Sequence, residues 1–234
     1  MKRFYRNVTA DQTEAGWRVL LDGRAIRTQG GRAQLVPTRA LAEAMAAEWA
    51  GQGEDIDPTA FLFRDLADYA IDVVAPDPAA LCTTLLGFAQ TDTLCYRAWP
   101  DEPLAPRQLA EWEPLVCTAE ARFGVHFVRV AGVIHRPQPP ETLAILGAEL
   151  ARLDPFALAA LHTLTSLAAS LIIGLAALSP AAPLSEVPLS ALWDAAHLEE
   201  LWQADLWGHE PEATARRARR RADFLAAARF ASML

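Results

Sequence analysis

The sequence predicts an α+β fold, with a small antiparallel β-sheet and helices near the N-terminus and a larger multihelical region after them. Asp22-Gly23 joins two runs of alternating residues, which indicates a β-hairpin because both turn residues tolerate positive φ. From Thr38 onward, apolar residues recur at helical spacing instead. Prolines at positions 76 and 78 interrupt that pattern. We therefore predict an α+β domain over residues 1–76 and a helical domain over residues 77–234.

The predicted sheet consists of short strands. Residues 17–21 and 24–28 form the hairpin, and residues 33–36 follow a Gly30-Gly31 turn as a third strand. The polar, basic start of the chain shows no secretory signal or transit peptide, so we expect a bacterial cytoplasmic protein.

Two helices complete the predicted N-terminal domain. Thr38 is the expected N-cap of the first, whose apolar face is Leu41, Met45 and Trp49 and which ends near Gly51. The second helix covers roughly residues 61–74. Its apolar face is predicted to contain Phe63, Leu66, Ala70 and Val73.

The helical domain is centred on residues 155–178, which we predict to be one buried helix. Small residues recur three or four apart from Ala159 to Ala177, so they share a face that another helix can approach closely. The segment is long enough to span a bilayer, which makes a membrane span the alternative. Its uninterrupted apolar run is short, so we expect a core helix without stable membrane insertion.

Three shorter features lie around this helix. Leucines at 143, 146, 150 and 153 follow Pro139-Pro140 with amphipathic spacing, which predicts a helix. Residues 125–130 alternate and suggest an isolated strand, and residues 180–188 form a proline-rich connection.

The last two predicted helices hold the most distinctive residues. The first covers residues 190–207, with Gly208 as its stop, and one of its sides is acidic. Its buried face is predicted to contain Leu192, Ala195, Leu198, Trp202 and Leu206. The second begins at Pro211, ends near Met233 and carries an arginine cluster over residues 216–221. Solvated helix faces stabilised by ion pairs account for these charges, and the role of the arginines stays open.

Charge and cysteine content exclude several classes. A formal net charge of -8 opposes nucleic-acid binding, because phosphates are repelled on average. Cys82, Cys95 and Cys117 show no CxxC spacing, so neither a disulfide framework nor a zinc site is expected.

Motifs for catalysis are missing from the sequence. It contains no GxGxxG, GxxxxGK[ST] or GxSxG, and we expect no cofactor and no catalytic residues. His197 and Glu200 have a spacing that two metal ligands can use, but no second such pair exists, so no metal site is expected. Cys117 is expected in the core. Glu199 and Glu200 project about 100° apart on a helix and cannot both face one substrate.

An ordered set of short blocks carries a family resemblance. In chain order they are KRFYRNV (2–8), VLLDGR (19–24), LAEA (41–44), IDP (56–58), TDTLCYR (91–97), WEP (112–114), LEELWQ (198–203) and WG (207–208). Together they are similar to the alpha-subunit-specific assembly chaperones of F-type ATP synthase. The sequence departs from the family at residues 59–62, where a methionine-proline pair is common, and at Trp202, where tyrosine is common.

The resemblance implies a protein that binds the unassembled alpha subunit and hands it to the beta subunit without using ATP. It implies no enzyme activity, and we expect a monomer when the chaperone is free. The implied partner-binding residues are Glu199, Glu200, Gln203, Asp205 and Trp207. Tryptophans at helical spacing are usually core residues, so Trp49, Trp112 and also Trp207 have that second interpretation. The alternative function is a small-molecule enzyme of unknown class that uses an acidic site in the helical domain.

Overall fold

The predicted order of a small sheet followed by helices is confirmed. The computed structural model describes residues 1–178, 188–208 and 210–234. The strands are β1 (Val8–Thr13), β2 (Gly16–Leu21), β3 (Arg24–Ala25), β4 (Tyr96–Arg97) and β5 (Val130–Ala131). The α-helices are α1 (Arg39–Ala50), α2 (Leu62–Tyr69), α3 (Pro78–Gln90), α4 (Ala105–Phe123), α5 (Pro140–Leu150), α6 (Pro155–Ala168), α7 (Leu171–Leu178), α8 (Leu189–Ala196), α9 (Leu198–Trp207) and α10 (Pro211–Ala231). Short 3₁₀ turns cover Pro58–Ala60 and Thr93–Cys95.

The N-terminal sheet has the antiparallel order β1-β2-β3. Asp22 and Gly23 adopt φ values of 48° and 78°, which confirms the predicted hairpin turn. The sequence prediction missed β1, which pairs with β2 along its whole length. Its residues are largely polar because it is an edge strand, so the alternation that marks β2 is weak there. The predicted third strand makes only isolated bridges, one of them between Trp17 and Val36.

Helix α1 matches its prediction. The Thr38 hydroxyl accepts a hydrogen bond from the Leu41 N–H at 3.2 Å, and Leu41, Met45 and Trp49 are buried. The helix ends at Gly51.

The second predicted helix contains a register shift. Helix α2 continues into a π-helical turn over Ala70–Val74, in which the Ala75 N–H donates to the Ala70 carbonyl. The wider turn adds a residue and rotates the following side chains. The prediction that Val73 is buried is therefore wrong: Val73 is 57% exposed and Val74 is 1% exposed.

The predicted single helix over residues 155–178 is broken into α6 and α7. Ala169 has a left-handed φ of 49°, which ends α6, and the carboxylate of Asp92 accepts the Ile172 N–H at 3.0 Å at the start of α7. Both helices are largely buried, as predicted. Gly174 allows them to pack closely, since a Cβ there would lie 2.2 Å from the Thr165 hydroxyl oxygen.

The helix predicted over residues 190–207 is also broken, at His197 between α8 and α9. Gly208 is the C-cap of α9, as predicted. The prediction that Leu206 is buried is wrong, since Leu206 is 60% exposed. Trp207 is 80% exposed, so its second interpretation as a core residue does not hold. Trp112 is fully buried, as predicted.

The remaining elements follow the sequence closely. Helix α5 buries Leu146 and Leu150, and the predicted isolated strand is reduced to β5, which pairs in parallel with β4. The predicted proline-rich connection lies outside the described residues except for Pro188. Within the described ranges no single helix has the length and hydropathy of a membrane span, although Leu62–Val74 and Pro78–Cys95, bent by 110°, reach them together.

Buried apolar residues form two clusters that share helices. One surrounds the N-terminal sheet and α1, and the other lies among α3 to α10. Helices α6 and α10 contribute to both, with Ala160 and Phe230 in the first and Leu158 and Phe224 in the second. The domain boundary after residue 76 stays a prediction.

Candidate functional site

Helix α9, which carries the five predicted partner-binding residues, is positioned by His197. The His197 ring stacks on Trp193 with centroids 3.7 Å apart, and its Nδ1 lies 2.9 Å from the Trp193 carbonyl oxygen. Burial lowers the pKa of His197, so the ring is neutral at pH 7. No three described His, Cys, Asp or Glu residues are grouped as metal ligands.

Glu199 is connected to α4. Its Oε1 accepts a hydrogen bond from Gln108 Nε2 at 2.7 Å, and the Gln108 Oε1 accepts the Ala98 N–H at 2.8 Å. Gln108 is fully buried, so it links α9 to the loop after β4. Burial raises the pKa of Glu199, and the nearby charge of Glu102 raises it further.

Glu200 faces α10 instead. Its Oε1 lies 3.0 Å from Nη2 of Arg217, whose side chain is only 14% exposed, whereas that of Glu200 is 45% exposed. This pair gives one member of the arginine cluster a structural role. Arg220 has another, because its Nη2 donates to the Leu167 carbonyl at 3.0 Å.

The predicted residues are thus divided between two depressions. Glu199 lines a large groove of about 860 Å³, and Glu200 and Trp207 line a small one of about 210 Å³. Gln203 lines both, and Asp205 is exposed on α9 and is not among the described lining residues of either. Glu199 and Glu200 line different depressions, in keeping with the angle of about 100° between neighbouring residues of a helix.

The large depression, called here the β4–β5 groove, was not predicted from the sequence. Besides Glu199 and Gln203, its walls include Trp99, Glu102, Val133 and Ile134. Trp99 is 55% exposed, Val133 94% and Ile134 75%. The one signal available was an apolar Val133-Ile134 pair in a segment with neither helical nor strand spacing.

A network of ion pairs connects β4 and the residue before β5, at the groove, to helix α4. Arg97, on β4, lies 2.6 Å from Glu113, and Arg129, just before β5, contacts both Glu113 and Glu120. Although burial raises the pKa of Glu113, hydrogen bonds from Arg129 and Arg97 outweigh it and lower the pKa to about 2. The carboxylate therefore stays charged and keeps β4 and β5 tied to α4 at neutral pH.

Cys117 belongs to the same network. The prediction that it is a core residue is wrong, since it is exposed on α4. Its thiol donates to Glu113 Oε1 at 3.4 Å. That hydrogen bond raises the pKa of the thiol, which disfavours the nucleophilic thiolate.

A third depression of about 500 Å³ lies where α2, α6 and α10 meet. On its wall, the Tyr69 hydroxyl and His162 Nδ1 are 3.0 Å apart. Burial lowers the pKa of His162 and raises that of Tyr69, so both rings are neutral at pH 7. The pair satisfies its own polar atoms within a mainly apolar cleft.

The chain is similar in sequence and structure to several known proteins. The sequence model of the family described as ATP12 chaperone protein matches residues 2–120. Atp12 from Paracoccus denitrificans is 38% identical, with 99% of this chain and 97% of that chain covered and a TM-score of 0.91. An aspartate-to-lysine mutant of that protein gives the same values. A putative chaperone from Agrobacterium tumefaciens is 39% identical, with 99% and 85% covered and a TM-score of 0.93.

Proposed function

Because this chain belongs to the ATP12 chaperone family, we propose that it acts in the assembly of F-type ATP synthase by binding the unassembled alpha subunit and releasing it to the beta subunit. In this proposal it works without ATP or another cofactor, as a cytoplasmic protein that is monomeric when free. The resemblance of its sequence blocks to alpha-subunit-specific chaperones supports the choice of client.

The observation that carries the proposal is the mixed surface beside α9. Five large apolar side chains of this surface are more than half exposed. Leu206 and Trp207 lie on α9, and Trp99, Val133 and Ile134 line the β4–β5 groove. Glu199 and Glu200 line the two depressions beside α9. An unassembled subunit exposes an apolar interface that is prone to aggregate. A surface with both apolar and charged groups covers such an interface and still releases it.

Co-expression tests this function directly. The chain carries the tag, the alpha subunit from the same source is untagged, and the complex is purified on the tag. We expect a stoichiometric complex that keeps the alpha subunit soluble and that dissociates when beta subunit is added. An alpha subunit that is equally soluble without the chain and does not copurify with it would contradict the proposal.

Glu200 is the residue of α9 best placed to bind a basic group of the client while also contacting Arg217. Glu200→Gln should weaken the complex by up to about fivefold, because exposed ion pairs contribute at most about 1 kcal/mol. Arg217→Gln is the matched control, since it breaks the same internal pair and leaves the Glu200 carboxylate in place. Equal losses in the two variants would assign Glu200 to fold stability instead of client binding.

A further inference from the structure

The β4–β5 groove has the shape and chemistry of a peptide-binding site. We propose that it binds a short apolar segment of the client protein that carries a lysine or arginine. This inference rests on the proposed chaperone function and assigns the client segment that the groove recognises.

The apolar half of the occupant follows from the groove wall. Trp99, Val133 and Ile134 lie side by side on it, with the Trp99 ring packed against Gly132. Gly132 has a φ of 79°, and a Cβ there would lie 3.1 Å from the ring. The Trp99 ring therefore packs closely on the backbone at residue 132, and Val133 and Ile134 beside it are largely exposed. Exposed side chains of this size in one patch are typical of an interaction surface.

The basic residue of the occupant follows from the charges. Glu102 and Glu199 line the groove, and neither forms an ion pair with a described residue. Glu102 accepts the Trp99 N–H at 3.0 Å and Glu199 accepts from Gln108, so both carboxylates are fixed by neutral donors. A cation between them would relieve the repulsion of these two like charges.

The basic side chains of the groove already have other partners. Arg97 is already paired with Glu113 at 2.6 Å. His135 Nδ1 lies 3.0 Å from the Tyr96 hydroxyl. The lining charge that is left for a ligand is therefore negative, which favours a basic segment over an acidic one.

The size of the groove fits a segment of several residues. Its volume of about 860 Å³ lies within the range of ligand-binding pockets. One side chain alone would fill only part of it.

Photo-crosslinking tests which chain enters the groove. A benzoylphenylalanine replaces Ile134 in the full chain, the co-expressed complex with the alpha subunit is irradiated, and the product is digested with a protease that cleaves after glutamate. We expect crosslinks to one alpha-subunit peptide with apolar residues and a lysine or arginine. The control position is Val73, which is 57% exposed but lies on the π-helical turn away from the groove. Crosslinks from position 134 to a second copy of the chain, or equally from position 73 to the alpha subunit, would overturn the proposal.

Affinity measurements test the chemistry separately. Val133→Ser with Ile134→Ser should weaken alpha-subunit binding about tenfold or more, and Val73→Ser should leave it unchanged. Glu102→Gln with Glu199→Gln should make binding less sensitive to salt, since the ionic contribution is removed. Normal binding by all groove variants, in a wild-type chain that binds the alpha subunit, would disprove the groove assignment alone. Failure of the wild-type chain to bind would instead disprove the proposed function.

Discussion

Asp92 in the core and Glu199 in the β4–β5 groove differ in how many hydrogen bonds their carboxylates accept from the protein. Asp92 is fully buried between the 3₁₀ turn Thr93–Cys95 and α7, and its oxygens accept N–H groups from Leu94 at 3.1 Å and Ile172 at 3.0 Å, with Ser170 also donating. Glu199 lies in an open groove and accepts from one protein donor, Gln108. Burial raises the pKa of both side chains.

The protein supplies several hydrogen-bond donors to Asp92 and one to Glu199. Asp92 accepts from the Leu94 N–H in its own turn and from the Ile172 N–H at the start of α7, so it connects that turn to the break between α6 and α7. Glu199 keeps access to solvent and to a ligand. A carboxylate that the protein surrounds with donors organises the fold, whereas one left facing a groove is available for binding.

The largest expected effect comes from removing a core tryptophan. Trp112 is fully buried, and its Nε1 donates to the Ala195 carbonyl at 2.7 Å. Trp112→Ala should lower the free energy of unfolding by about 3–5 kcal/mol, because it leaves a cavity and an unpaired carbonyl. Trp207→Ala, at a position 80% exposed, should change it by less than about 0.5 kcal/mol. Chemical denaturation of both variants measures the contrast, and similar losses would mean that Trp207 is a core residue after all.

The second prediction is that Asp92 makes the free energy of unfolding depend on pH. Its pKa is raised from 3.8 in the unfolded chain to about 6 in the fold, chiefly by burial. The protonated form therefore favours folding, and this contribution is lost as pH rises from about 4 to about 6. The stability of the wild type relative to Asp92→Asn should fall by about 3 kcal/mol across that range.

Denaturation curves at pH 4, 5, 6 and 7 measure this difference. The asparagine variant also removes one acceptor for the N–H groups of Leu94 and Ile172, so it should be less stable at every pH. A stability difference that does not vary with pH would show that Asp92 does not titrate in this range.

A smaller effect should follow from changing the glycine beneath the groove wall. Gly132→Ala forces an L-residue into a φ of 79° and places a Cβ 3.1 Å from the Trp99 ring, so it should cost about 1–2 kcal/mol and shift the tryptophan fluorescence. Gly31→Ala is the matched control, because its φ is 81° and a Cβ there meets no atom within 4 Å. Equal stability losses with no fluorescence change at Gly132 would show that Trp99 is not held by this contact.

Elements with local signals could be predicted from the sequence alone. Asp22-Gly23 specified the hairpin through its tolerance of positive φ, and Thr38 specified the start of α1 through its side-chain cap. The apolar spacing of Leu41, Met45 and Trp49 fixed the buried face of that helix. Each of these signals involves only a few neighbouring residues, so it can be recognised without knowing which other segments pack nearby.

Other features depend on contacts in the folded chain that the residue pattern does not show. At the break between α6 and α7 the Ile172 N–H donates to Asp92, which lies far away along the chain. At the break between α8 and α9 the His197 ring stacks on Trp193, four residues earlier, and helical spacing does not reveal this contact. The β4–β5 groove brings together Trp99, Val133 and Glu199 from three separate segments. Local helical spacing continues smoothly across both breaks and carries no information about which segments meet in space, so the sequence alone predicted longer helices and no groove.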